Sequence, residues 1–276
     1  MSRVEKHNPL KASALSRQAE ALRDGKSGKI QFKELTLEQV TRSAIEFGLV
    51  TDVLYLMNAG KEASIYLAMW HEHPIILKAY RLWSSPHKLS KQKGYITAAG
   101  GNKTRLVTAL MEDLAVKEFD ILTWCFKGGV HVPTPIGRVG HFLTMRFMGD
   151  GLEPAPQMKD VELDNPELAP DQILDDYLLM YNKVNYTHGD LSAYNILWWK
   201  ERPWIIDIPQ GDRVNKWANM TKVELILKRD IRNVLDYYEQ YDIYKDEEHI
   251  LKVFLDEYIP DNQRHYRELD IGGELL

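Results

Sequence analysis

The chain has 276 residues, 44% of them hydrophobic and 27% charged, with a formal net charge of −5. That length suits one large domain or two lobes with separate cores, and the negative charge argues against non-specific nucleic-acid binding by the whole surface while leaving local basic patches open. A single cysteine, Cys125, excludes an intramolecular disulfide and a structural zinc site built from cysteines.

No apolar run approaches the roughly 20 residues needed to cross a bilayer, and Met1 to Leu10 lacks a signal-peptide core. A cytoplasmic protein is the expectation. Residues 1–33 carry eight Lys/Arg against three Asp/Glu with little apolar periodicity, which predicts a basic, flexible tail. "LTLEQVTRSAIEFG" predicts a helix with Thr36 as N-cap, Glu38 and Gln39 in the first turn and Gly48 as the stop. The β-branched and aromatic runs "LVTDVLYLM", "SIYLAMW" and "IILKAY", separated by "NAGKEA" and "HEHP", predict three antiparallel strands. His71-Glu72-His73 then fills a hairpin turn rather than a metal site.

The segment from residue 84 to 105 is rich in lysine and contains Gly100-Gly101, so it reads as a basic, flexible loop. A helix follows from Thr104 to Phe126, with Leu106, Leu110, Leu114, Phe119 and Leu122 in helical rhythm. "HFLTMRFM" reads as a strand and "GLEPAPQ" as a Pro-rich link. A helix from about Asp171 to Asn182, the loop "YTHGDLSAYNIL", the strand "PWIIDI" and two helical stretches near 219–240 and 246–258 complete the chain. The boundaries drawn from this order are a tail at 1–33, a sheet-rich lobe at 34–148 and a helical lobe at 149–276.

Chemistry concentrates at four places. Gly60, between the first two strands, permits close backbone approach, and exposed N–H groups in such a turn receive phosphate oxygens. Lys78 lies in the strand "PIILKAYR", and Glu118 lies in the long helix. Together they fit the strand-lysine and helix-glutamate ion pair of kinases. Glu112, Asp113 and Asp120 share that helix and remain open as the partner. The loop holds His188, Asp190 and, five residues on, Asn195, the spacing of the kinase pattern H-x-D-L-x-x-x-N. Asp207 ends an apolar strand twelve residues after Asn195, where a carboxylate is costly to bury without a partner, a cation being a natural one and a turn aspartate before Pro209 the plain alternative.

The stretches "GKEASIY", "KEFDIL", "MRFMGDGLEPAP", "HGDLSAYNIL" and "IIDIPQ", in that order, resemble the RIO family of atypical serine/threonine protein kinases. "GKEA" leans toward the first RIO subfamily or its prokaryotic relatives. The resemblance implies an α+β, bilobal protein-kinase-like fold with a sheet-rich N-lobe and a reduced helical C-lobe. It carries phosphate contacts onto Gly60, Lys61 and Lys78, the supporting ion pair onto Glu118, catalysis onto Asp190, metal binding onto Asn195 and Asp207, and adenine binding onto the backbone of Met145, Arg146, Phe147 and Met148. The implied cofactors are ATP and Mg²⁺, with Mn²⁺ as a substitute. The family also acts as an ATPase through a phosphoaspartate, here on Asp207, and the implied partner is a small ribosomal subunit precursor or its RNA. Two rival expectations stand beside the protein kinase: a small-molecule phosphotransferase of the aminoglycoside or choline type, and a nucleotide-gated ribosome-assembly factor.

Overall fold

The computed structural model describes residues 36–60, 62–81, 103–208, 211–215 and 217–257, with backbone only at 103–108 and 257. The basic tail, most of the loop from residue 84, and Lys61 lie outside the described residues. The chain divides into two compact units, residues 1–120 with 134–147, and residues 121–133 with 148–276.

The first unit opens with α1, Leu37–Glu46. The Thr36 hydroxyl accepts the Gln39 N–H and the Gln39 side chain accepts the Thr36 N–H, a complete capping box. Gly48, at φ +67°, takes the left-handed turn that ends it. Strands β1 (Asp52–Ala59), β2 (Ala63–Trp70) and β3 (His73–Tyr80) pair antiparallel in sequence order. Next come α2 (Lys103–Gly128), whose last turns belong to the second unit, then β4 (Pro135–Val139) and β5 (Phe142–Arg146). The sheet order is β1-β2-β3-β5-β4.

Alternation along β3 decides which side chain meets which helix. Ile75, Leu77 and Ala79 point to one face and pack with Val40 and Ala44 of α1, Leu49, Val50 and Phe142. Tyr80 points to the other face and packs with Met111 and Ala115 of α2. Lys78 shares that second face by register. Each fully buried aliphatic or aromatic side chain of these layers contributes about 1.5–3 kcal/mol, enough to hold the register on both sides.

Strand β4 is a finding the sequence reading lacked. Its segment "PIGRV" starts with a proline and contains a glycine, both weak strand residues. Pro135 is tolerated because it opens an edge strand, and the ladder slips between Pro135 and Gly137.

The second unit begins its own elements with the short pair β6 (Gly149–Asp150) and β7 (Glu153–Pro154). Helix α3 (Ala169–Leu179) runs into a π-helical turn, Met180–Val184, that ends at Asn185 in the left-handed region. The hairpin β8 (Ile196–Trp198) and β9 (Pro203–Ile205) follows. Helices α4 (Met220–Tyr238) and α5 (Glu247–Glu257) close the described chain. Val223, Leu227, Ile231, Val234 and Tyr238 make the buried stripe of α4, and Phe254 of α5 lies against the rings of Tyr177 and Tyr181 at 5.2 and 5.8 Å. Cys125, on the last turns of α2, is fully buried.

Candidate active site

In the first unit, Lys78 Nζ lies 2.9 Å from Glu118 Oε1 and 2.8 Å from Oε2. Both side chains are buried, at 8% and 2% exposure. The geometry therefore selects Glu118 among the four carboxylates that the sequence left open on α2. Asp113 is exposed, and the Glu112 carboxylate lies beside Gly140 in the β4–β5 turn. The Lys78 ammonium also sits 5.3 Å from the Tyr80 ring centroid. Gly60 donates its N–H to the Ala63 carbonyl at 3.0 Å, and its carbonyl accepts from Arg81 Nε at 3.1 Å. Both backbone groups of Gly60 are thus engaged within the turn.

Met145 and Arg146 end β5, and Phe147 and Met148 follow it. Met145, Phe147 and Met148 are buried and Arg146 is exposed. The Met148 carbonyl accepts the Ala155 N–H at 2.8 Å.

In the second unit the loop is built on the pairing of 185–187 with 211–214. Thr187 N–H donates to the Asp212 carbonyl, Val214 N–H to the Asn185 carbonyl, and the Tyr186 hydroxyl to the Gly211 carbonyl at 2.7 Å. A Cβ on Gly211 would lie 1.5 Å from the Thr187 carbonyl oxygen, so the close approach admits only glycine.

His188 is fully buried. Its Nδ1 accepts the Asp190 N–H at 3.2 Å, which leaves the proton on Nε2 to donate to the Ile206 carbonyl at 3.0 Å. Burial pushes its pKa down, against the pull of Asp230 and the Ile206 carbonyl. The ring thus ties the start of the loop to the segment that precedes Asp207.

Asn195 closes the loop on itself. Its Nδ2 donates to the Asp190 carbonyl at 2.8 Å and to Asp190 Oδ2 at 3.0 Å. Its carbonyl accepts the Ile206 N–H at 2.9 Å, which lays the chain before Asp207 against Asn195. Asp207 stands two residues beyond β9 rather than in the strand, at φ +58°. The left-handed backbone there breaks the strand and turns the chain, at a position where aspartate is tolerated better than most residues. With Asn195 Nδ2 committed to Asp190, its amide oxygen and the Asp207 carboxylate are the hard oxygen donors, the type that suits Mg²⁺ bound through few protein ligands. Among the described residues no group of three or more His, Cys, Asp or Glu is placed to hold a metal by itself.

Sequence reasoning missed the support that α4 gives the loop. Asp230 is fully buried, and its Oδ2 accepts the Gly189 N–H at 2.7 Å and the Tyr177 hydroxyl at 2.8 Å. Arg229 donates to the Gly189 carbonyl and Asn233 Nδ2 to the Leu191 carbonyl at 3.0 Å. A signal was available: Asp230 interrupts the apolar stripe of α4, three residues after Leu227 and four before Val234.

A five-stranded sheet holding a strand lysine against a helix glutamate, with a helical unit carrying a buttressed aspartate–asparagine loop, defines the protein-kinase-like class of fold. The chain belongs to the RIO domain family, whose model matches residues 64–250. Among solved structures it is similar to the Rio2 kinase of Chaetomium thermophilum in a complex with ADP/Mg²⁺ and phosphoaspartate. The TM-score is 0.60 at 21% identity, over 82% of this chain and 70% of that one. The serine/threonine-protein kinase RIO3 of Mus musculus is 35% identical over 46% of this chain and 24% of its own length. The RIO-type serine/threonine-protein kinase Rio1 of Haloferax volcanii is 27% identical over 67% of this chain and 62% of its own. The matched region thus spans about a quarter of the mouse relative and under two thirds of the archaeal one.

Proposed function

We propose that the chain is a RIO-type atypical serine/threonine kinase that transfers the γ-phosphoryl group of Mg-ATP. The observation that carries this reading is the Asn195 amide clamped to the Asp190 carboxylate, beside a chain segment leading to Asp207. It supports a proton-accepting carboxylate and a pair of oxygen donors within one rigid loop. In this reading Lys78, held by Glu118, binds nucleotide phosphate oxygens, with further phosphate contacts from Gly60 and Lys61. The backbone from Met145 to Met148 takes the adenine. Asn195 and Asp207 hold Mg²⁺, which when bound neutralises charge on the phosphates. Asp190 orients the acceptor hydroxyl and accepts its proton as the oxygen–phosphorus bond forms and ADP departs. Positioning and charge stabilisation supply most of the acceleration, because the transition state is loose.

The phosphoaspartate named in the Rio2 complex supports a second use of the same residues. Asp207 would take the phosphoryl group as an acyl phosphate and lose it to water, giving an ATPase cycle. Within that cycle the chain would act as a cytoplasmic factor in small ribosomal subunit maturation, with the precursor particle as partner. The small-molecule phosphotransferase reading has no observation of its own in its favour.

Purified protein incubated with Mg²⁺ and γ-labelled ATP tests both uses. Transfer to protein hydroxyls leaves label stable to hydroxylamine and falls roughly a hundredfold or more in Asp190→Ala, the scale expected on losing a general base, with ATP binding retained. Label that hydroxylamine removes and Asp207→Ala abolishes marks the ATPase cycle. Unchanged transfer in Asp190→Ala would refute the kinase assignment.

A further inference from the structure

The loop from Leu191 to Ile196 hides its apolar side chains with one exception. Leu191, Ala193 and Ile196 are buried, yet Tyr194, four residues after Asp190 and directly before Asn195, is 63% exposed. Loose backbone does not explain this. The Tyr194 carbonyl accepts from Gln157 Nε2 at 2.8 Å, the neighbouring Ala193 carbonyl accepts from Lys159 N–H at 3.3 Å, and Asn195 N–H donates to the Ser192 carbonyl at 2.9 Å. The ring is therefore exposed on a fixed backbone, in the same loop as the carboxylate assigned to meet the acceptor and four residues after it.

What already sits on the ring indicates what it takes. Lys159 Nζ lies 5.5 Å from the Tyr194 centroid, and the same ammonium is held by Asp160 at 2.6 and 2.7 Å. An aromatic face that shares an ammonium with a carboxylate is suited to cations, and the chain's own lysine shows it by lying on the ring and on Asp160 at once. The Asp160 side chain remains 55% exposed. In sequence, the stretch Met148 to Asn182 carries eight exposed carboxylates and a single lysine, and even with Asp171 paired to Lys245 the surplus of negative charge favours a cationic partner.

We propose that Tyr194 is a specificity residue for the acceptor: its exposed ring, with Asp160, seats a cationic side chain flanking the serine or threonine that Asp190 receives. The acceptor is then a basic polypeptide segment, with arginine favoured because its planar guanidinium stacks on a ring and still reaches a carboxylate. This rests on the kinase reading above and deepens it.

The test uses the full chain, Mg-ATP and three synthetic peptides with one serine, flanked by arginine, alanine or glutamate. Wild type is expected to prefer the arginine peptide in kcat/KM. In Tyr194→Ser the preference over alanine shrinks by about threefold or more, the scale of an exposed cation–π contact. The loss appears in the KM for peptide, while kcat and the KM for ATP stay within about twofold, and Tyr194→Phe keeps the preference. Asp160→Asn weakens it in the same direction. An unchanged preference in Tyr194→Ser overturns the proposal and leaves the kinase reading intact. So does a parallel fall in kcat for all three peptides, which would make Tyr194 a structural member of the loop. A wild-type preference for glutamate also overturns it. Failure of wild type to phosphorylate any peptide or itself defeats the kinase reading, and this inference with it.

Discussion

Lys78 and Glu118 are buried together, and that makes each a liability without the other. An unpaired buried charge costs several kcal/mol, while replacing both partners with apolar side chains of similar volume is often neutral. Lys78→Met is therefore expected to destabilise the protein by about 3–5 kcal/mol. Lys78→Met with Glu118→Leu should recover most of that loss, though not ATP binding. Chemical denaturation of the two variants checks it; a double variant no more stable than the single one would show that Glu118 has other anchors. In the sequence, Asp190 and Asn195 stand out as candidates by their five-residue spacing and Asp207 by its place at the end of an apolar run, whereas Lys78 stands out only together with Glu118. Glu118 stands there as the partner of Lys78 with Glu112, Asp113 and Asp120 left open beside it, and the ion pair formed by the packing of α2 on β3 chooses between them. Tyr194 stood in the motif as a spacer, since exposure is not written in spacing.

Among the elements, those fixed by local chemistry were readable and those fixed by distant contacts were not. The cap at Thr36 and Gln39, the period-two runs of β1 to β3 and the long apolar rhythm of α2 each carry their own signal. Strand β4 forms because β5 offers it a partner, and the π-helical turn after α3 leaves no mark in hydrophobic pattern. Gly211 reads as an ordinary turn glycine, yet its role is set by Thr187, twenty-four residues earlier in the chain. Gly211→Ala would drive a methyl into the Thr187 carbonyl, so the pairing of 211–214 with 185–187 must part. The expected outcome is a destabilisation of about 2–4 kcal/mol, in the upper part of the range for single substitutions, with a loss of phosphoryl transfer beyond what stability explains. A thermal scan and a transfer assay at a temperature where the variant remains folded separate the two effects. Wild-type behaviour in both would mean that the loop has room to shift.

At the scale of the whole molecule, each unit contains a buried neutral imidazole. His141, in the turn between β4 and β5, is fully buried, and neither ring nitrogen has a hydrogen-bond partner among the described residues. Burial lowers its pKa from 6.5 to about 3. His188 shifts in the same direction for the same leading reason. Above about pH 6.5 neither imidazole is protonated in the folded or the unfolded chain. Below it the unfolded chain binds protons that the folded chain refuses, so stability falls with pH, by up to about 1.4 kcal/mol per pH unit for each group. For His141 the loss continues toward about pH 3. His141→Phe should flatten that slope between about pH 6 and 4, measured as unfolding midpoint against pH. An unaltered slope would place the acid sensitivity elsewhere.

Cys125 gives the molecule a built-in clock. The thiol is fully enclosed, and burial raises its pKa to about 12, so the folded chain offers neither access nor thiolate. With no second sulfhydryl anywhere in the sequence, any alkylation counts excursions that expose the end of α2. Trapping rates would then convert into the free energy of a local opening, with no probe introduced and no residue changed.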